Sequence, residues 1–211
     1  MKAHTLETQT TITPERAFEI LKEGNERFVQ NLKANRDLLA QVNDTRAGQW
    51  PFAVILSCID SRTSAELIFD QGLGDIFSVR IAGNFANQDI LGSMEFGCNV
   101  AGSKLIVVLG HSKCGALKGG LDAAAIRETG MENLSHLVDH FTPIIDGIIT
   151  DGEERSSKNS DLLERLNVQN VKQTIADIRN QSATLNQLEK DGKIKIVGAN
   201  YDVETGIVSW L

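Results

Sequence analysis

Two uninterrupted apolar runs constrain this chain most. Phe52-Ala53-Val54-Ile55-Leu56 ends at Ser57-Cys58, and Leu105-Ile106-Val107-Val108-Leu109 ends at Gly110-His111. Neither run alternates polar with apolar residues, so a strand made of either buries both faces. That is the condition of a parallel sheet covered by helices on two sides. Residues 76–81, after the Gly72-Leu73-Gly74 turn, and 194–199 read as two more strands, and 207–211 as a short edge strand. Helical segments fill the intervals at about 64–70, 88–101, 114–126, 131–149 and 159–190. The alternation predicts an α/β fold: a central, mostly parallel sheet of four strands plus a short C-terminal edge strand, with helices on both faces.

Ahead of this core, Thr13-Pro14-Glu15-Arg16 is a helix start, with Thr as N-cap and Pro at the first helical position. Phe18, Leu21 and Phe28 follow at helical spacing, and residues 31–49 read as a second, shorter helix. Residues 1–12 are polar and read as loosely held. The 211 residues suffice for one well-buried core, so the organisation expected is a single domain over 1–211. In it an N-terminal helical arm (1–48) precedes an α/β core (49–211).

Charge and composition exclude some functions. Lys and Arg total 21 against 28 Asp and Glu, a net charge of −7, with no basic cluster to meet a phosphate backbone. No nucleic-acid partner is expected. No apolar run approaches the roughly 20 residues of a membrane span. The opening MKAHTLETQT carries no apolar leader core, which predicts a cytoplasmic protein. The three cysteines, Cys58, Cys98 and Cys114, are an odd number and argue against a disulfide framework. Cys98 reads as a small buried residue.

Ligand sites in open α/β sheets form beyond the carboxyl ends of strands. Cys58 and His111 both fall there, and His111-Ser112-Lys113-Cys114 sets a second thiol three residues on. Two thiolates and an imidazole suit Zn2+, and three protein ligands leave a fourth position for water. Cys114 would open a helix, whose dipole favours thiolate. Nucleophilic cysteine chemistry with His111 as base is the alternative, although it leaves one thiol unexplained. Asp60 and Arg62, two residues apart on the loop after Cys58, can close into an ion pair that keeps the carboxylate ionised. Such a carboxylate could accept a hydrogen bond from metal-bound water, or ligate the metal itself. His136 and His140 share a helix face at i, i+4 but have no third ligand in view.

Cys58-Ile59-Asp60-Ser61-Arg62 and His111-Ser112-Lys113-Cys114-Gly115 resemble the CxDSR and HxxCG motifs of the β-class carbonic anhydrases. The intervening Phe69–Asp75 and Val79–Asn84 stretches are similar to the same family, and the likeness runs from about Thr13 to Gly120. The resemblance implies one Zn2+ per subunit on Cys58, His111 and Cys114, with Asp60 as fourth ligand in a closed state. It implies catalytic roles for Asp60 and Arg62, and a substrate pocket that includes Gln49, Phe77, Ala82 and Phe96. Phe96 stands where the family usually has Tyr, and Ala82 where a larger aliphatic residue is common. The implied reaction is reversible hydration of carbon dioxide to bicarbonate and a proton by a zinc-bound hydroxide. The implied assembly is a homo-oligomer, dimer or tetramer, whose N-terminal helices embrace a partner and whose pocket aromatics can come from the other subunit. A carbonyl sulfide or carbon disulfide hydrolase on the same scaffold, or a non-catalytic zinc-binding relative, would carry the same ligands.

Overall fold

Successive residues of a strand point to opposite faces of the sheet. The computed structural model, which describes residues 2–211, gives each set of side chains its own cover. The strands are β1 (Ala53–Ser57), β2 (Ile76–Arg80), β3 (Leu105–His111), β4 (Lys195–Tyr201) and β5 (Val208–Trp210). They lie in the order β2-β1-β3-β4-β5, parallel except for the antiparallel β5 edge, as the apolar runs predicted. Around them run α1 (Leu6–Thr11), α2 (Pro14–Val29), α3 (Leu38–Thr45), α4 (Ala65–Ile68) and α5 (Gln88–Glu95). The later helices are α6 (Gly115–Leu121), α7 (Ala123–Glu128), α8 (Glu132–Asp139), α9 (Thr142–Asp146), α10 (Ser160–Gln181) and α11 (Ala183–Lys190).

On one face, Ala53, Ile55, Leu105, Val107 and Leu109 pack with Ala17 and Leu21 of α2 and Ala65 and Ile68 of α4. On the other, Val54, Leu56, Ile106 and Val108 meet Met94 of α5, Val171 and Ile178 of α10, and Leu185 of α11. A third cluster gathers at the carboxyl ends of the strands: Cys58, Phe85, Cys114, Leu117, Phe141, Leu162 and Leu166.

Several elements differ from the sequence reading. Residues 5–12, expected to be loose, are ordered, whereas Met1 of that stretch lies outside the described residues: α1 is closed by a reciprocal Thr5–Thr8 capping box. Its buried Gln9 donates from Nε2 to Pro51 O and Ala101 O, both at 2.7 Å. One amide, invisible to hydrophobic patterning, pins the segment. Helix α2, part of the expected arm, packs on the core. Ala17, Leu21, Gly24 and Asn25 form its buried stripe, and a Cβ at Gly24 would lie 1.8 Å from Phe69 O. The helix expected over 31–49 shortens to α3. That over 88–101 ends in a π-helical turn at Phe96–Val100. Residues 131–149 divide between Asp139 and Thr142, with Pro143 in the first turn of α9, and 159–190 divide at Ser182. The Ser182 hydroxyl caps α11 at Leu185 N (3.1 Å) and also bonds Glu95 (2.5 Å).

The link between α2 and α3 is held by one carboxylate. Asp70 is buried; its Oδ2 accepts from Arg27 Nε (2.6 Å) and Ala34 N (3.1 Å), and its Oδ1 from Arg36 Nη1 (2.5 Å). Burial pushes this carboxyl up, but the two guanidinium groups and the amide outweigh burial and hold it below its ordinary value. Asp70→Ala leaves the buried Arg36 without its carboxylate and is expected to destabilise the fold by about 3 kcal/mol, read from urea unfolding. A carboxyl lowered by folding stabilises above its unfolded value, near 4. The difference between wild type and Asp70→Ala therefore holds at neutral pH and shrinks as pH falls below about 4.

Candidate metal centre

Ser57 stands opposite Leu109, so β1 and β3 end side by side. Cys58 follows β1 directly, His111 closes β3, and Cys114 is the N-cap of α6. Between the last two, Lys113 takes a left-handed backbone (φ 59°), which turns Cys114 back toward His111. The ligand atoms of Cys58, His111 and Cys114 lie within 4.8 Å of one another, and all three residues are buried.

The donor chemistry fits a metal ion. His111 Nδ1 lies 3.0 Å from Ser112 O. A carbonyl only accepts, so Nδ1 carries the proton and Nε2 a lone pair. That Nε2 is buried without a partner, a costly state that a cation relieves. The Cys58 thiol is pushed down, chiefly by a hydrogen bond from Cys114 and further by the Gly83 N–H, against the cost of burial. Cys114 moves up, because it donates to Cys58 and is itself desolvated. Two thiols this close share a proton, which a bound cation would replace.

Asp60 and Arg62 form the pair that their spacing suggested. Asp60 Oδ1 accepts from Arg62 N (3.0 Å) and Nε (2.9 Å), and Oδ2 accepts from Nη2 (2.7 Å). The guanidinium fork and the Arg62 N–H hold the Asp60 carboxyl well below the usual carboxylate range. Three residues that sequence reasoning gave no role support this loop. Arg80 donates to Cys58 O (2.9 Å) and Asp60 O (2.6 Å). Thr63 Oγ1 donates to the same two carbonyls at 2.9 Å. Gly83 N donates to Cys58 Sγ at 3.3 Å. Arg80 pairs with Ser57 in register, a place legible only once β1 and β2 are known to neighbour each other.

Of the expected pocket residues, Ala82 adjoins Gly83 and is half-buried. The others line different hollows. Phe77 and Phe96 meet edge to face at 6.2 Å in an open groove of about 790 Å³ along β2 and α5. Phe77 pairs with Val54, four residues before Cys58, about 13 Å along the strand. Gln49 is exposed in a hollow with Thr45, Arg46 and Gly74. One chain therefore does not gather Gln49, Phe77 and Phe96 around its own Cys-His-Cys group. His111 and Cys114 instead border a cavity of about 540 Å³ against α10 and the β4–β5 turn. His140 lies flat on Phe85, ring centroids 4.1 Å apart. Cys98 is buried, its thiol pushed up to about 12 by desolvation.

Gly83 holds its place for two reasons: its φ is +80°, and a Cβ there would come 2.3 Å from Phe141 Cζ. Gly83→Ala is expected to cost about 1–3 kcal/mol, seen as a lower thermal midpoint, because the loop that donates to Cys58 must move.

The carbonic anhydrase family model matches residues 53–208. Carbonic anhydrase 2 of Mycobacterium tuberculosis (strain CDC 1551 / Oshkosh) is 37% identical over 197 residues, 92% of this chain and 90% of its own. A carbonic anhydrase of Mycolicibacterium smegmatis is 38% identical over the same length, 92% of each chain. The solved structure of the β-carbonic anhydrase CcaA superposes with a TM-score of 0.70 at 25% identity, covering 93% of both chains. With both ligand motifs folded into one buried group and these likenesses along nearly its whole length, the chain belongs to the β-carbonic anhydrases.

Proposed function

We propose that this chain hydrates carbon dioxide reversibly to bicarbonate and a proton, with one Zn2+ per subunit held by Cys58, His111 and Cys114. The observation that carries the reading is the convergence of two buried thiols and a buried, unpartnered imidazole nitrogen, with an Asp–Arg pair on the loop that follows Cys58. A zinc ion in such a site lowers the pKa of its water from 15.7 to about 7.

The chain's residues supply the rest. Asp60 stays ionised at neutral pH beside Arg62, so it accepts hydrogen bonds and donates none. It would accept a hydrogen bond from the water that attacks the substrate and so orient it. Arg62 engages both carboxylate oxygens, which would keep Asp60 from ligating a metal held by Cys58, His111 and Cys114. Ligation by Asp60 would first have to break that fork. Phe85, Leu117 and Phe141 pack in the same cluster as the two thiols, apolar surroundings that suit an uncharged substrate.

Gln49, Phe77, Ala82 and Phe96 complete the substrate pocket in this reading, the first, second and fourth from another copy of the chain. Their distance from their own metal group supports a homo-oligomer, dimer or tetramer. So does the apolar surface beside them: Phe96 is 53% and Val100 71% exposed, and Leu38, Leu39 and Val42 of α3 are uncovered. Three free, buried cysteines fit a reducing cytoplasm.

Metal analysis and stopped-flow hydration test the proposal. One zinc per chain and rapid carbon dioxide turnover are expected, and Cys58→Ser should lose both. Asp60→Asn should keep its zinc while kcat/KM falls about 10–100-fold; full activity in that variant would remove Asp60 from the mechanism. Faster turnover of carbonyl sulfide or carbon disulfide than of carbon dioxide would make the chain a hydrolase instead. A fully zinc-loaded but inactive preparation would make it a binding protein.

A further inference from the structure

Ser112 lies between two of the proposed ligands, and all its polar atoms are engaged. Its N–H donates to Tyr201 O at 2.9 Å. Its hydroxyl donates to Asp202 Oδ1 (3.1 Å) and accepts from Val203 N (3.0 Å). Its carbonyl accepts the Nδ1 proton of His111. The first three partners are consecutive residues where β4 turns back toward β5.

That turn is itself fixed. Asp202 Oδ1 also accepts from Glu204 N, and Oδ2 from the Thr205 hydroxyl, both at 2.9 Å. The backbone closes from Gly206 N to Asp202 O (2.8 Å) and from Asp202 N to Ile207 O (2.9 Å). Buried Asn25 of α2 fastens the far side: Nδ2 donates to Gly206 O (3.0 Å) and Ile68 O (3.1 Å), and Oδ1 accepts from Val208 N (2.9 Å). The metal-binding turn therefore leans on a braced hairpin.

It needs such a support. Lys113 holds a left-handed backbone, which costs a side-chain-bearing residue about 1–2 kcal/mol. Rotation of the Ser112 peptide would relieve that strain. It would also carry away the carbonyl that fixes the tautomer of His111. We infer that Ser112 and Asp202 are positioning residues of the metal centre: the Asp202 carboxylate locks the Ser112 hydroxyl, and the Ser112 carbonyl then aims the imidazole of His111. The inference rests on the zinc reading above and extends it to a hairpin about ninety residues away in sequence.

Zinc affinity, measured on the full chain by competition with a chromophoric chelator, tests it. Ser112→Ala and Asp202→Ala should each weaken binding about 10–100-fold and shift the visible bands of the Co2+-substituted protein. The thermal midpoint of the metal-free Ser112→Ala variant should stay within about 5 °C of metal-free wild type, as expected for the loss of two hydrogen bonds. Asp202→Asn keeps an oxygen to accept from Ser112 and should recover most of the affinity. Glu204→Gln removes only the exposed ion pair with Lys113 and should leave affinity within about twofold. Unchanged affinity in both alanine variants would overturn the inference, as would a loss in Glu204→Gln as large as theirs. Ser112→Ala deletes a single hydroxyl, so it decides the matter if Asp202→Ala does not fold. A wild type that binds no zinc would overturn the zinc reading and this inference with it, whereas zinc-binding wild type with unaffected variants overturns only the inference.

Discussion

Strands β1 and β3 run parallel in one register, with Ala53 opposite Leu105 and Ser57 opposite Leu109. The rest of the site depends on this pairing. Both strands are buried at every residue, so a slip of one position would exchange the side chains of the two faces and misfit both helical layers. Burial thus locks the register, and the locked register sets Cys58 and His111 at neighbouring strand ends. A two-sided core supplies the precision that a three-ligand site requires.

The chemistry at those strand ends comes from the residue types and from what surrounds them. Two thiols packed with Phe85, Leu117 and Phe141, beside a buried imidazole, are poorly solvated, and a divalent cation would offset the cost of gathering anionic sulfur there. Asp60 lies nearer the surface and is governed by a different partner, the Arg62 fork, which keeps it charged. One loop of five residues therefore carries a buried soft ligand and a solvated hard acceptor, each with its own electrostatic setting.

Much of this was legible along the chain. The apolar runs announced the parallel sheet, and His111, Cys114, Asp60 and Arg62 stood out by spacing at strand ends. Elements held by single polar contacts were not legible. Helix α1 depends on Gln9, the α2–α3 link on Asp70, and the metal turn on Asp202, each reaching a partner tens of residues away. A lone amide or carboxylate leaves no periodic trace. The contact of helix α2 with the core was hidden for a related reason: its buried stripe includes Ala17, Gly24 and Asn25, residues that leave little hydrophobic signal.

The sequence by itself determined the fold class and the Asp60–Arg62 pair and marked His111 and Cys114 as candidate donors, because these follow from local pattern and short spacing. The tertiary structure decided the rest. It brought β1 against β3, so that Cys58 joins a motif more than fifty residues away. It set Gln49, Phe77 and Phe96 apart from their own chain's metal group, on the β2 side of the molecule and in the hollow beside α3. It also seated the β4–β5 hairpin behind Ser112. Strand order and the stacking of helices on a sheet are settled by which buried surfaces fit together, and no stretch of sequence carries that information alone.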